Sequence, residues 1–245
     1  MNIGERLNEM LEFRTVFTIR AFSRELPISE TVIISWLVML ILIAAAILLT
    51  RKLGTVPSGA QSLLEAGIEF LDNFSAAYFG RRAAAFAPYI GTLFLFLFAA
   101  NIIPAITPVS ISVAGRVFTP PFEIKPPARD INLAGALALM SILFVLGAGL
   151  KERGPAGWFK NLFKPVPLML PFNLLEYAIR PASMCLRLFG NMLGGFIIMV
   201  LIEGVVPLFI PPVFSLYFDF LDGLIQALVF TFLTVLFVSE AIAVE

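Results

Sequence analysis

The sequence predicts an all-α integral membrane protein with about five transmembrane helices, the last two a long hairpin, and one amphipathic helix at the interface. Hydrophobic residues make up 59% of the chain and charged residues 14%, with a mean hydropathy of +0.94. A typical soluble domain carries about 25% charged residues. Apolar runs recur at lengths that fit a hydrocarbon core of roughly 30 Å, given a rise of about 1.5 Å per helical residue. Lys and Arg collect in two of the loops between these runs, which marks those loops as cytoplasmic.

Residues 1–30 contain Glu5, Arg6, Glu9, Glu12 and Arg14 ahead of any long apolar run. That is unlike the apolar core of a cleavable signal peptide, so they read as an extracytoplasmic segment of a mature chain. Thr31 to Thr50 forms the first span, 31–50. From Gly59 to Phe79, apolar Leu63, Leu64, Ile68, Leu71 and Phe74 intersperse with Glu65, Glu69 and Asp72, the pattern of a helix lying at the interface. The second span is 83–106, with the lipid-like run Gly91-Thr-Leu-Phe-Leu-Phe-Leu-Phe. The third is 131–150, and Asp130 with Asn132 reads as its cap.

After the polar stretch Lys151 to Lys164, the prolines Pro165, Pro167, Pro171 and Pro181 interrupt the apolar sequence. They predict a re-entrant or tilted lead-in to a helix from about Ala182 to Val206. That segment, 165–206, and the last, 213–244, flank Pro207, Pro211 and Pro212 and read as a hairpin. Arg51, Lys52, Arg81 and Arg82 follow the first span, and Lys151, Arg153, Lys160 and Lys164 follow the third. The rule that cytoplasmic loops are basic then puts the N-terminus outside and the C-terminus inside. The chain shows no inverted repeat of the kind that builds many secondary transporters and reads as a single membrane domain, 1–245.

Composition also excludes chemistries. Seventeen Lys plus Arg balance seventeen Asp plus Glu, so no net field favours nucleic acid. Without histidine there is no imidazole relay or Ser-His or Cys-His catalytic pair. Cys185, the only cysteine, reads as a small helix-packing residue. Neither a metal nor a cofactor is expected.

Arg187 is the only Lys or Arg from Ala182 to the C-terminus. A cation at the bilayer centre costs about 2.5 to 3.5 kcal/mol on insertion scales and usually faces a bundle interior or a watery cavity. On a helix Asn191 lies about 40° from Arg187, with Gly194 and Gly195 on the same side, so one face carries a cation, an amide and little bulk. Small residues there let another helix approach closely. On the last helix Asp219, Asp222, Gln226, Leu233, Phe237 and Glu240 fall within about 60° of one direction, which places Gln226 to meet Arg187 or Asn191. Intramembrane carboxylates facing a cavity can relay ions, and Glu176, Glu203, Asp219 and Asp222 are the candidates. Each has a plainer reading: Asp219 and Asp222 solvate the hairpin turn, and Glu176 sits at the interface. The guanidinium is a fixed charge and no proton carrier. At about 4 Å and an effective dielectric near 20 it biases a carboxylate by roughly 4 kcal/mol, enough to make a passing acid release its ion.

The run Leu186-Arg-Leu-Phe-Gly-Asn-Met-Leu-Gly-Gly195 resembles the signature of the subunit a family of F-type ATP synthases. Further matches are Ser35-Trp36, Pro57 with Gln61 and Glu65, Asn101-Ile-Ile-Pro104, Asp130-Ile-Asn132 with Ala136-Leu-Ala-Leu139, and Gln226-Ala-Leu-Val-Phe230. The first thirty residues and the loop Pro108 to Pro127 are unmatched. The resemblance implies a non-catalytic stator subunit whose hairpin packs against a ring of c subunits. In that arrangement Arg187 faces the ring's essential carboxylates, Asn191 and Gln226 support it, and Gly190, Gly194 and Gly195 admit the ring. Ions pass through two offset half-channels, coupling their flow to rotation and to ATP synthesis in the F1 sector, with peripheral-stalk b subunits as further partners. It implies a bacterial plasma membrane or a thylakoid membrane, and H+ as the commoner ion with Na+ left open. The chain departs from many relatives at Phe196, where they place an ionisable residue; Glu203, Asp219 or Asp222 are possible substitutes. The rival expectation is a stand-alone channel or secondary transporter that uses Arg187 to bind an anionic substrate.

Overall fold

The computed structural model describes residues 15–21, 24–51, 53–54, 59–105, 111–113, 116–118, 127–163, 168, 170–205 and 220–243. Among these, five helical stretches are long and apolar enough to cross a membrane. The helices are α1 (Glu30–Thr50), α2 (Ala60–Phe79), α3 (Ala83–Ala105), α4 (Ile131–Leu162), α5 (Leu170–Val205) and α6 (Gly223–Ile242). Two short antiparallel hairpins accompany them: β1 (Thr15–Ala21) with β2 (Arg24–Ser29), and β3 (Ile111–Val113) with β4 (Arg116–Phe118). Val16, Phe17 and Ile19 give β1 its β-branched and aromatic character, and in the strand register Arg20 stands opposite Glu25. The residues 1–14 and the proline-marked hairpin turn lie outside the described residues.

The sequence places helices where the structure has them but misjudges two of their ends. α4 runs past Leu150 to Leu162 as two helical segments joined at a kink, where Gly154 has φ 70 and ψ 164. Only glycine takes that conformation without strain. Pro155 then opens the second segment at a position where a missing N–H costs nothing. α5 is not broken by its prolines. Pro171 sits in the first turn, and Pro181 removes one hydrogen bond from a helix that runs about three turns before it and more than six after it. Helices in apolar surroundings tolerate such a loss when neighbours and local adjustment re-satisfy the backbone.

α2 also splits the apolar set that the sequence assigns to one face. Leu64, Leu71 and Phe74 are half-buried and Ser75 and Phe79 buried, whereas Leu63 is 80% exposed and Ile68 and Phe70 are exposed beside Glu65, Glu69 and Asp72. Leu63 and Phe70 are two turns apart, so the helix carries a second apolar edge that the sequence reading merged with the first.

The chain divides into two compact units whose boundaries fall within helices. The first comprises residues 1–46, 96–133 and 188–227. In it Ile34 and Val38 of α1 pack on Ala100 of α3, flanked by Leu42, Phe96, Ala99 and Ile103. Asp130 is buried and accepts the backbone N–H of Asn132 at 2.9 Å and its side-chain amide at 3.0 Å, so it caps α4. The second unit comprises 47–95, 134–187 and 228–245. Its core joins Phe79, Phe86 and Ile90 to Ile142, Val145 and Ala148 of α4 and to Val235, Val238 and Ile242 of α6. Tyr89 stacks on Phe144. By contrast α1 turns Trp36, Leu40, Ile43, Ile47 and Leu48 outward, as a lipid-facing helix does.

In the first unit a side chain at Gly223 has no room: an added Cβ would stand 2.8 Å from the Cβ of Asn101. Gly223→Ala is expected to destabilise the protein by roughly 1–3 kcal/mol through overpacking, read as a lower unfolding midpoint in detergent. An unchanged midpoint would show that α3 and α6 give way at no cost.

Candidate functional site

Arg187 is exposed on α5, and Asn191 is the only other strongly polar side chain in the helix between Leu186 and Ile202. Along that helix Met184 and Leu188 are buried, whereas Leu186, Ile197, Ile198 and Leu201 are exposed. An added Cβ at Gly190 or Gly194 would meet nothing within 4 Å; Gly190 is exposed, and Gly194 and Gly195 are half-buried. Among the described residues Arg187 forms no ion pair. A long apolar helix thus presents a fixed positive charge beside bare backbone.

One turn further along α5, within the first unit, Asn191 Nδ2 donates to Gln226 Oε1 of α6 at 2.7 Å. Gln226 is 1% exposed. A buried side-chain amide is costly unless bonded, and this bond ties the two helices at a set rotation. Gln226 thus meets Asn191, one of the two partners its place in the sequence allows.

The second unit holds a charge cluster that the sequence reading overlooked. Arg180 Nη2 donates to Glu176 Oε2 at 2.8 Å and to Glu240 Oε1 at 2.9 Å. Its guanidinium carbon lies 4.8 Å from the ring centre of Phe237, within cation–π range. The end of α6 is held by two more arginines. Arg82 donates to the carbonyl of Ile242 at 3.0 Å, and Arg153 donates to the carbonyls of Glu240, at 3.2 Å, and Ala243. The last carbonyls of a helix lack internal partners and carry partial negative charge, so guanidinium donors satisfy both needs. Arg82 also pairs with Glu152 at 3.2 Å.

The candidate residues therefore fall into separate settings. Glu176 is the exposed partner of Arg180, and Asp222 is half-buried in a wide turn just before α6. Glu203 lies near the end of α5 with its side chain outside the described residues, and Asp219 lies outside them altogether. Arg180 was legible as a second cation on α5, two turns before Arg187 and on the same side, while the neighbouring prolines drew attention elsewhere. Asn101 belongs to a motif already noted, but a lone amide in an apolar run gives no hint of its contact with Gly223, whose carbonyl accepts from Asn101 Nδ2 at 3.3 Å.

A family model described as ATP synthase A chain matches residues 32–239, nearly the whole helical region. The chain belongs to this family. It is 36% identical over 216 residues to the protein named ATP synthase subunit a, sodium ion specific, of Propionigenium modestum, covering 88% of this chain and 75% of that one. It is 32% identical over 215 residues to ATP synthase subunit a of Moorella thermoacetica, covering 88% and 91%. Membership of the ATP synthase A chain family fits the five apolar stretches of a multi-pass membrane protein. In this family member Leu186, Arg187, Gly190 and Asn191 of the motif are exposed on α5, and Leu188 is buried.

Arg180→Ala removes two ion pairs, the ring contact and the packing of the arginine stem, and is expected to lower stability by about 1–3 kcal/mol. Glu240→Gln, at an exposed partner, should cost less than about 1 kcal/mol. Chemical unfolding of the detergent-solubilised protein ranks the two, and the reverse order would mean that Glu240, not Arg180, anchors the cluster.

Proposed function

We propose that this member of the ATP synthase A chain family is the stator of an F-type ATP synthase. It provides two offset half-channels through which ions reach and leave carboxylates on a partner ring. The observation that carries the reading is the exposed guanidinium of Arg187 beside the open backbone of Gly190 and Gly194. A ring helix bearing a carboxylate can come close enough there for a fixed charge to act. At about 4 Å with an effective dielectric near 20, that charge lowers the energy of the ionised carboxylate by roughly 4 kcal/mol. A protonated or ion-loaded carboxylate arriving from one side therefore gives up its ion as it reaches Arg187. A cation in the channel is repelled by the same charge, so no ion passes without riding the ring.

In this reading Asn191 and Gln226 hold the two helices that face the ring, and Glu176, Glu203, Asp219 and Asp222 line the routes to and from it. The subunit makes and breaks no covalent bond; ATP is formed in the F1 sector, reached through the rotating ring and braced by peripheral-stalk b subunits. The N-terminus lies outside and the C-terminus inside a bacterial plasma membrane. The ion is H+, and the name of the sodium-ion-specific relative makes Na+ the second outcome of the same test. A stand-alone transporter does not follow from membership of this family.

ATP-driven ion pumping in vesicles holding the assembled complex, compared between the native chain and Arg187→Ala at several Na+ concentrations, tests the proposal. Pumping should fall at least about a hundredfold, which corresponds to losing roughly 3 of those 4 kcal/mol, with subunit composition unchanged. Stimulation by Na+ would name sodium as the ion; pumping undiminished in the variant would refute the stator role.

A further inference from the structure

Two buried amide atoms of the first unit stand without partners: Gln226 Nε2 and Asn101 Oδ1. Both side chains are almost fully enclosed, at 1% and 2% exposure. One atom is a donor and the other an acceptor, and each amide is anchored through its other atom, Gln226 Oε1 on Asn191 and Asn101 Nδ2 on the Gly223 carbonyl. Asn101 is pressed against Gly223, and Gln226 follows Gly223 by one turn on the same face of α6. Positions so related have Cβ atoms about 5–6 Å apart, so the two amides are neighbours, and one bridging water would satisfy both free atoms.

We infer that a single internal water links Asn101 Oδ1 to Gln226 Nε2 and makes Asn101 a positioning residue for the Asn191–Gln226 pair. The water donates to the Asn101 oxygen and accepts from the Gln226 amide. With Gln226 Nε2 facing the site a metal cation is the wrong occupant, because that group offers hydrogens and no lone pair. The inference survives exchange of oxygen and nitrogen in the Asn191 and Gln226 amides together, since the water then donates to two oxygens. The link extends the amide chain to three helices, α5, α6 and α3. Its absence would leave two buried polar atoms unmatched in a region where polar groups are ordinarily bonded. Gly223 is what allows this, because any side chain there would push Asn101 off α6.

The consequence for pumping rests on the stator reading; the water itself does not. A density map of the assembled complex in a lipid nanodisc should show one ordered water within hydrogen-bond distance of both amides. A direct amide–amide bond, or no density between them, overturns the water. For the positioning role, ATP-driven pumping is compared for Asn101→Leu, Gln226→Leu and the double variant in complexes of equal subunit composition. Asn101→Leu should slow pumping at least about fivefold, the effect of orphaning one buried donor, and the double variant should be no slower than the worse single one. Independent, multiplying losses would show that Asn101 acts apart from Gln226 and overturn the role. If a variant fails to assemble, the map of the native complex still decides the water, and Asn101→Ala takes the place of Asn101→Leu in the cycle.

Discussion

Hydrocarbon supplies no water to a backbone amide or a polar side chain, so every such group crossing it must find its partner inside the protein. Most of the structure follows from that constraint. The helices satisfy their own backbones, and hydroxyls within them bond back one turn: Ser35 to the Thr31 carbonyl, Thr92 to that of Pro88 and Thr234 to that of Phe230. Where a helix starts or stops, other residues supply what it lacks, as Asp130 does for α4 and Arg82 and Arg153 do for α6. Side-chain amides pair across helices, as Asn191 does with Gln226.

Two arginines on the same side of α5 obey the constraint differently. Arg180 is enclosed by two carboxylates and an aromatic ring, so its charge is absorbed within the chain. Arg187, two turns on, is exposed beside Gly190 and Gly194, where an added Cβ would meet nothing within 4 Å. An arginine that were purely structural would be expected to resemble the first. The contrast supports the role proposed for the second, because a charge left available is one that an outside carboxylate can use.

Hydropathy made the five spans legible because helix length and bilayer thickness leave little freedom. The ends were harder. A Gly–Pro step reads as a stop, yet at Gly154 and Pro155 it makes a bend and the helix resumes. Pro181 reads as a break, yet a long apolar helix survives the loss of one hydrogen bond. The short hairpins went unread, since strands of three to seven residues carry too little alternation to stand out beside spans of twenty or more. In the site, the arginine motif and the facing glutamine were visible as sequence. The company Arg180 keeps was not: Phe237 and Glu240 share a stripe with Gln226, but a stripe gives a direction and not the register that sets those two side chains against Arg180.

The arginines at the end of α6 bear on the order in which the protein is made. Arg82 and Arg153 leave the ribosome well before Glu240, Ile242 and Ala243, whose carbonyls they bind. Synthesis runs from the N-terminus, so these guanidiniums and that of Arg180 are made before the groups of the final helix that they bind. The last turn then acts as a latch that three earlier segments close on together. A chain that stopped before Glu240 would leave the clasp open, with all three guanidiniums short of the partners that the last turn supplies.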